Sequence, residues 1–171
     1  RLILQGQPGY FYNAYGPDDE LPTQKISVYL EIDNTQKNNL GMPLPKGIVR
    51  VYKADKEGSL QFIGEDQIDH TAKDETVKVK MGEAFDVVGR RKQTEFRRIA
   101  RAISEMSWEI TLRNHKQEPV TVRVNEPVPG DWEVLSASHK HEKPDVHTLR
   151  FNVSVPKDAE VKITYRVRVK M

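Results

Sequence analysis

The chain of 171 residues contains no cysteine. Disulfides, thiolate-bound zinc and cysteine nucleophiles are thereby excluded. The compartment stays open, because a chain without thiols suits oxidising and reducing surroundings alike. No apolar run approaches the roughly 20 residues of a membrane-spanning helix. A Walker loop, a dinucleotide fingerprint, a Gly-x-Ser-x-Gly elbow and a His-Glu-x-x-His pair are all missing. These absences weigh against the commonest nucleotide-dependent and hydrolytic enzymes without excluding others. Charge of one sign is not in large excess either. Lys and Arg number 27 against 25 Asp and Glu, giving a net charge of +2 with 30% of residues charged. That is a mixed-charge surface rather than a polybasic one. The chain opens on Arg1 and not on methionine, so the expectation is a fragment or a processed start.

What the sequence has in quantity is alternation. In Leu149–Val155 every odd position is apolar and every even one polar, and the rule holds again through Val161–Lys170. A period of two marks a strand with one dry face. Met106, Trp108, Ile110 and Leu112 point one way, and Ser107, Glu109, Thr111 and Arg113 the other. Val120, Val122 and Val124 continue the pattern, as do Ile26–Ile32, Ile48–Lys53 and Val77–Met81. Asp55–Ser59 reads as a hairpin tip, with Leu60–Glu65 returning. Strands this short, with little helix between them, predict an all-β fold: an antiparallel β-sandwich, immunoglobulin-like in the C-terminal half. A domain of this length buries roughly 68–70% of its unfolded surface, enough for a core without staples.

Three segments are expected: an irregular aromatic, Gly- and Pro-rich lead-in over residues 1–24, an N-terminal β region over 25–95, and the sandwich over 96–171, with the boundary near 95–105. Residues 89–105 carry conflicting signals. Phe96, Ile99, Ala100 and Ile103 follow helical spacing, so a long strand running into a short helix or irregular link is expected there. Lys140–Asp145 reads as a polar loop.

Several blocks resemble the bacterial family called domain of unknown function 4139. They are Leu44–Tyr52, Phe62–Thr71, Ala84–Val88 with Arg91–Thr94, Trp108–Lys116 and Pro127–Trp132. The resemblance runs from about Leu44 to the end. It implies the C-terminal module of longer bacterial proteins similar to mucoidy inhibitor A. It also implies a place in the cell envelope, periplasmic or secreted. It carries no catalytic residue and no cofactor.

Four groups of residues are candidates for chemistry. Glu65, Asp66 and Asp69, with His70 and Asp74, offer paired carboxylates or an Asp69–His70 general-base pair, but Asp at a strand end routinely bonds local backbone. His139 and His141 fall on one side of an extended segment and could share a metal with His147, Glu142 or Asp145; a solvated loop is the plainer reading. Arg90, Arg91, Lys92, Arg97, Arg98 and Arg101, with Arg150, Lys162, Arg166, Arg168 and Lys170, form a basic set that would attract an anionic polymer. A charged outer face that discourages aggregation is the plainer reading here. Aromatics are not interleaved with these charges as base stacking requires, so nucleic acid is not expected. Tyr10 and Tyr12 could stack on sugars or anchor an interface, or simply pack against a neighbour. Together these features predict a non-catalytic interaction or scaffolding module without cofactor. Its expected partner is the missing N-terminal region of its own chain, another envelope protein, or an anionic or glycan polymer. The alternative is a carbohydrate-binding or carbohydrate-active envelope protein.

Overall fold

The computed structural model describes residues 1–6 and 23–171. Among the described residues eleven strands follow one another: β1 (Leu2–Gln5), β2 (Gln24–Asp33), β3 (Gly47–Ala54), β4 (Leu60–Ile68), β5 (Thr76–Ala100), β6 (Ile103–Asn114), β7 (Val120–Pro127), β8 (Asp131–Ala137), β9 (His141–Asp145), β10 (Thr148–Val155) and β11 (Ala159–Lys170). A 3-10 turn at Gln36–Asn38 is the one helical element among the described residues. The all-β expectation holds. By contacts the chain divides into a first unit, Arg1 with Ser27–Glu83, and a second, Leu2–Ile26 with Ala84–Met171. The division falls at Glu83/Ala84, earlier than 95–105, and β2 and β5 contribute residues to both units.

Nine strands form one sheet in the order β8-β11-β6-β5-β2-β1-β7-β10-β9. Within the second unit this sheet turns back on itself. The Phe151 ring on β10 lies 5.6 Å from the Tyr165 ring on β11, although many strands separate the two in the sheet. The result is a sandwich. Its interior holds the dry residues that alternation marks: Met106, Trp108, Ile110 and Leu112 of β6, Leu149, Phe151, Val153 and Val155 of β10, and Ile163, Tyr165, Val167 and Val169 of β11, all buried. The pairing of β1 with β7 departs from the antiparallel expectation. β1 runs parallel to β7, with Leu2 opposite Val122 and Gln5 opposite Asn125. Residues 1–24 are therefore not uniformly irregular: Ile3 and Leu4 enter the core.

Residues 89–105 contain no helix. β5 continues to Ala100, Arg101 and Ala102 form the turn, and β6 begins at Ile103. The β5–β6 register slips between Gln93 and Glu95 and again between Arg98 and Ala100. Each bulge adds a residue to one strand; the one at Ile99 breaks the period of two after Phe96, and the turn at Arg101–Ala102 separates Ala100 from Ile103, so that the spacing imitates a helix. Lys140–Asp145 is also corrected. His141–Asp145 is β9, which pairs with β10 and is exposed along its whole length. Charges and Pro144 fit it to an outer edge.

The core of the second unit also contains an ion pair. Arg91, expected on the basic outer face, is buried. Its Nε and Nη2 donate to Glu126 Oε1 at 2.9 and 2.5 Å, with side-chain exposures of 0% and 2%. The Tyr165 hydroxyl donates to Glu126 Oε2 at 3.0 Å. Burial, and then the Glu126 charge, push the Tyr165 hydroxyl well above the usual tyrosine range.

Two buried asparagines organise the turns. In the first unit, Asn34 Nδ2 donates to the carbonyls of Met42 and Ala72, and its Oδ1 accepts from Gly41 N. In the second, Asn114 Nδ2 donates to the carbonyls of Glu118 and Pro156, and its Oδ1 accepts from Lys116 N. The first unit also contains the two-stranded sheet β3–β4. Its tip closes as the sequence predicts: Asp55 Oδ1 accepts from Glu57 N and Ser59 N, both at 2.9 Å, and Gly58 sits at φ 86°.

Candidate functional site

Of the candidate carboxylates in the first unit, Asp66 is committed to local structure. Asp66 Oδ1 accepts from Gln67 N and Oδ2 from Lys80 N at 2.7 Å, which ties β4 to the start of β5. Asp69 and His70 are exposed. His70 Nδ1 accepts from Lys46 N at 3.3 Å, and the Asp69 carbonyl from the Thr71 hydroxyl. Asp66 thus has both oxygens engaged by backbone N–H groups and clamps β4 to β5.

The histidines are used differently from one another. The Ser138 hydroxyl lies 2.8 Å from His139 Nδ1. The His141 ring lies edge-on to Phe151, 6.2 Å between centroids. Asp145 accepts from His147 N at 2.8 Å, a bond that holds its carboxyl below the usual range. Among the described residues no three of His, Asp and Glu gather in metal-binding geometry. Tyr10 and Tyr12 lie outside the described residues.

Arg166 and Arg168, next-but-one on the wet face of β11, converge on one carboxylate. Arg166 Nη2 meets Glu105 Oε2 at 2.6 Å, and Arg168 Nη2 meets Oε1 at 2.7 Å. Arg168 Nη1 also binds Glu133, and Glu95 joins Arg166 and Arg97. Bonds from Arg168 first, then Arg166, hold the Glu105 carboxyl below its usual range. Three arginines and three glutamates alternate across four strands, so this end of the wet face is balanced.

Two surfaces emerge that alternation did not mark as functional. The first is one face of the β3–β4 hairpin. Tyr52 stands opposite Phe62 and Ala54 opposite Leu60. The two rings meet edge-on at 5.7 Å. Leu60 is 69% exposed, Phe62 57% and Tyr52 49%. Arg50 and Glu65 flank the cluster as an ion pair of 3.0 Å. In the sequence these residues look like any strand with a dry face; that they stay exposed is a fact of packing. The second is a cleft of about 180 Å³ on the wet face of β5, β6 and β11. Arg90, Lys92, Glu109, Thr111, Arg113, Glu160 and Lys162 line it. They lie far apart in sequence, and only the strand register brings them together.

Compared with protein-family models, with curated proteins and with solved structures, the chain matches none.

Proposed function

We propose that this chain is a non-catalytic interaction module of a bacterial cell-envelope protein, and that the β3–β4 hairpin is its docking face. The observation that carries the reading is the cluster Tyr52, Leu60 and Phe62, three large apolar side chains exposed side by side on a polar chain. Scattered exposed apolar residues are ordinary, but aromatic and aliphatic groups presented together on one rigid element are the usual anchors of protein contacts. The engagement of Asp66 by backbone N–H groups supports the absence of hydrolytic chemistry. The envelope setting rests on the resemblance of the sequence blocks from Leu44 onward. The partner is a protein: another envelope polypeptide or a further region of the same one.

The test is an envelope extract passed over the immobilised chain. A retained protein is identified, purified and titrated against the wild type and against Leu60→Ser/Phe62→Ser. A loss of about tenfold or more in affinity at unchanged melting temperature is expected. Equal affinity of the two would remove the hairpin as the docking face. A hydrolytic activity abolished by Asp66→Asn/Asp69→Asn/His70→Ala at unchanged stability would remove the non-catalytic reading. A glycan screen tests the carbohydrate alternative, which predicts specific binding that is insensitive to salt and lost on Tyr10→Ala/Tyr12→Ala.

A further inference from the structure

β1 has an unexpected place for a strand of its size. It has four residues, the fewest of the described strands, yet it lies inside the nine-stranded sheet and not at an edge. It runs parallel to β7, with Leu2, Ile3, Leu4 and Gln5 opposite Val122, Arg123, Val124 and Asn125. Gly6 N extends the ladder by donating to the Asn125 carbonyl at 2.8 Å. β7 lies far along the sequence, so the two strands are joined by non-covalent contacts alone.

The position that β1 fills is shaped for its sequence. Leu4 is fully buried and Ile3 nearly so. Gly89 of β5 makes the room for Leu4: a Cβ there would stand 2.6 Å from Leu4 Cδ2. Gly6 is demanded from the other side. A Cβ on it would stand 2.6 Å from Pro127 Cδ and 3.1 Å from Glu126 Oε1, the oxygen that holds Arg91. Between them, Asn125 Nδ2 donates to Gln5 Oε1 at 3.2 Å, while Asn125 Oδ1 accepts from Arg150 Nε at 2.9 Å. Leu, Gln and Gly in succession therefore meet an apolar pocket, a matching amide and a point that admits no side chain.

We infer that this slot exchanges strands between copies of the chain: β1 of one copy leaves its own sheet and completes the sheet of a second, which donates its β1 in return. The slot itself identifies the occupant, since the sequence that fits is the one seated in it. The exchanged pair keeps every β1 contact described above, so the swap loses none of them. β1 is also the cheapest strand to detach. It buries two large apolar side chains, whereas β6 and β11 are 12 residues long and run through the core, and elements with few buried contacts open most readily. A strand tethered to its own sheet competes at an effective concentration of about a millimolar. Exchange is thus favoured where copies are concentrated or held side by side. The inference is independent of the hairpin reading, because β1, Gly89 and β7 belong to the other unit.

The lack of cysteine allows a direct test with the full chain. Gln5→Cys and Asn125→Cys place thiols at facing positions of β1 and β7, within the Cα separation of about 4.4–6.8 Å that a disulfide needs. Carried together in one chain, they should close an internal disulfide that locks β1 in place and keeps the protein monomeric. Carried on separate chains of different mass, mixed and then oxidised, they should give a disulfide-linked heterodimer. Its yield at about 1 mM should exceed that at about 10 µM by about tenfold or more. The yield from chance collision comes from pairing Gln5→Cys with Lys162→Cys, at a 57% exposed side chain on β11, which does not pair with β1. A heterodimer no more abundant than in that control would overturn the inference. So would a yield insensitive to concentration, or a locked double variant that still dimerises.

Discussion

Two arginine–glutamate pairs of similar length sit in opposite surroundings. In the second unit, Arg91 and Glu126 are sealed between the layers of the sandwich. In the first, Arg50 and Glu65 flank the exposed hairpin, 60% and 49% open to water. The aromatics divide the same way: Trp108 and Phe151 are buried, whereas Phe62 and Tyr52 are 57% and 49% exposed. Similar side chains therefore do different work in the two units. In one they determine whether the chain folds; in the other they are available to something outside it. Distance between charges does not tell the two cases apart, because water screens one pair and not the other.

The sharpest way to break this contrast is at Arg91. Arg91→Met leaves Glu126 charged in an apolar interior and should cost about 3–5 kcal/mol by denaturant unfolding. Adding Glu126→Leu and Tyr165→Phe removes the stranded polar groups and should recover most of that loss. If the single variant unfolds no more easily than wild type, the pair is not a determinant of the second unit.

Glycines give a smaller and graded comparison. Gly130 in the second unit has φ 67°, and a Cβ there would press onto the Lys170 carbonyl oxygen. Gly58 at the hairpin tip has φ 86° and open space around it. Gly58→Ala should cost about 1–2 kcal/mol from backbone strain alone. Gly130→Ala should cost about 2–4 kcal/mol, because overpacking adds to the strain. Equal losses in thermal melts would contradict the difference in packing.

The effects of pH follow from two shifted groups in the second unit. Tyr165 stays protonated in the fold beyond the pH near 10 at which an unfolded tyrosine ionises. Stability is thus full below about pH 10 and falls as pH rises further. Urea midpoints between about pH 8 and 11 should drop more steeply for wild type than for Tyr165→Phe. Glu105 is shifted the other way. Its contribution is present above the unfolded value near 4.3 and is lost as pH falls through the lower folded value. Glu105→Gln should flatten that acid limb. The smallest effect is expected at Arg50→Gln, which should leave the melting temperature unchanged, as exposed pairs generally do.

The fold was legible wherever one face of a strand is apolar. Met106–Leu112 and Leu149–Val155 announce their burial by composition. β5 does not, because its inward positions are Val87, Gly89, Arg91 and Gln93. A buried arginine and glutamine look like surface residues until the partner carboxylate, 35 residues away on β7, is seen beside them. The helical spacing at Phe96–Ile103 arose from the bulge at Ile99 and the turn at Arg101–Ala102, which depend on pairing with β6 and not on local preference. Asp66, Asp69 and His70 were visible as residue types, but the atoms they bond were not. The cleft was visible only in part. Lys162, Arg90 and Lys92 stood out as charges, whereas their gathering around Thr111 is a product of register. The hairpin face was legible as strand and illegible as surface, since exposure is set by what other elements leave uncovered.

The asparagines carry a consequence for how the protein ages. Asn34 points its amide nitrogen at two carbonyl oxygens and Asn114 at three. Slow hydrolysis of either amide would replace that donor by a carboxylate, which only accepts. Negative charge would then face carbonyl lone pairs in a buried site, and the turns gathered there would come apart. In each unit the packing that holds these side chains still also slows the reaction. Chemical wear would therefore begin in molecules that have already opened, and any condition that loosens the turns would shorten the shelf life of the whole chain.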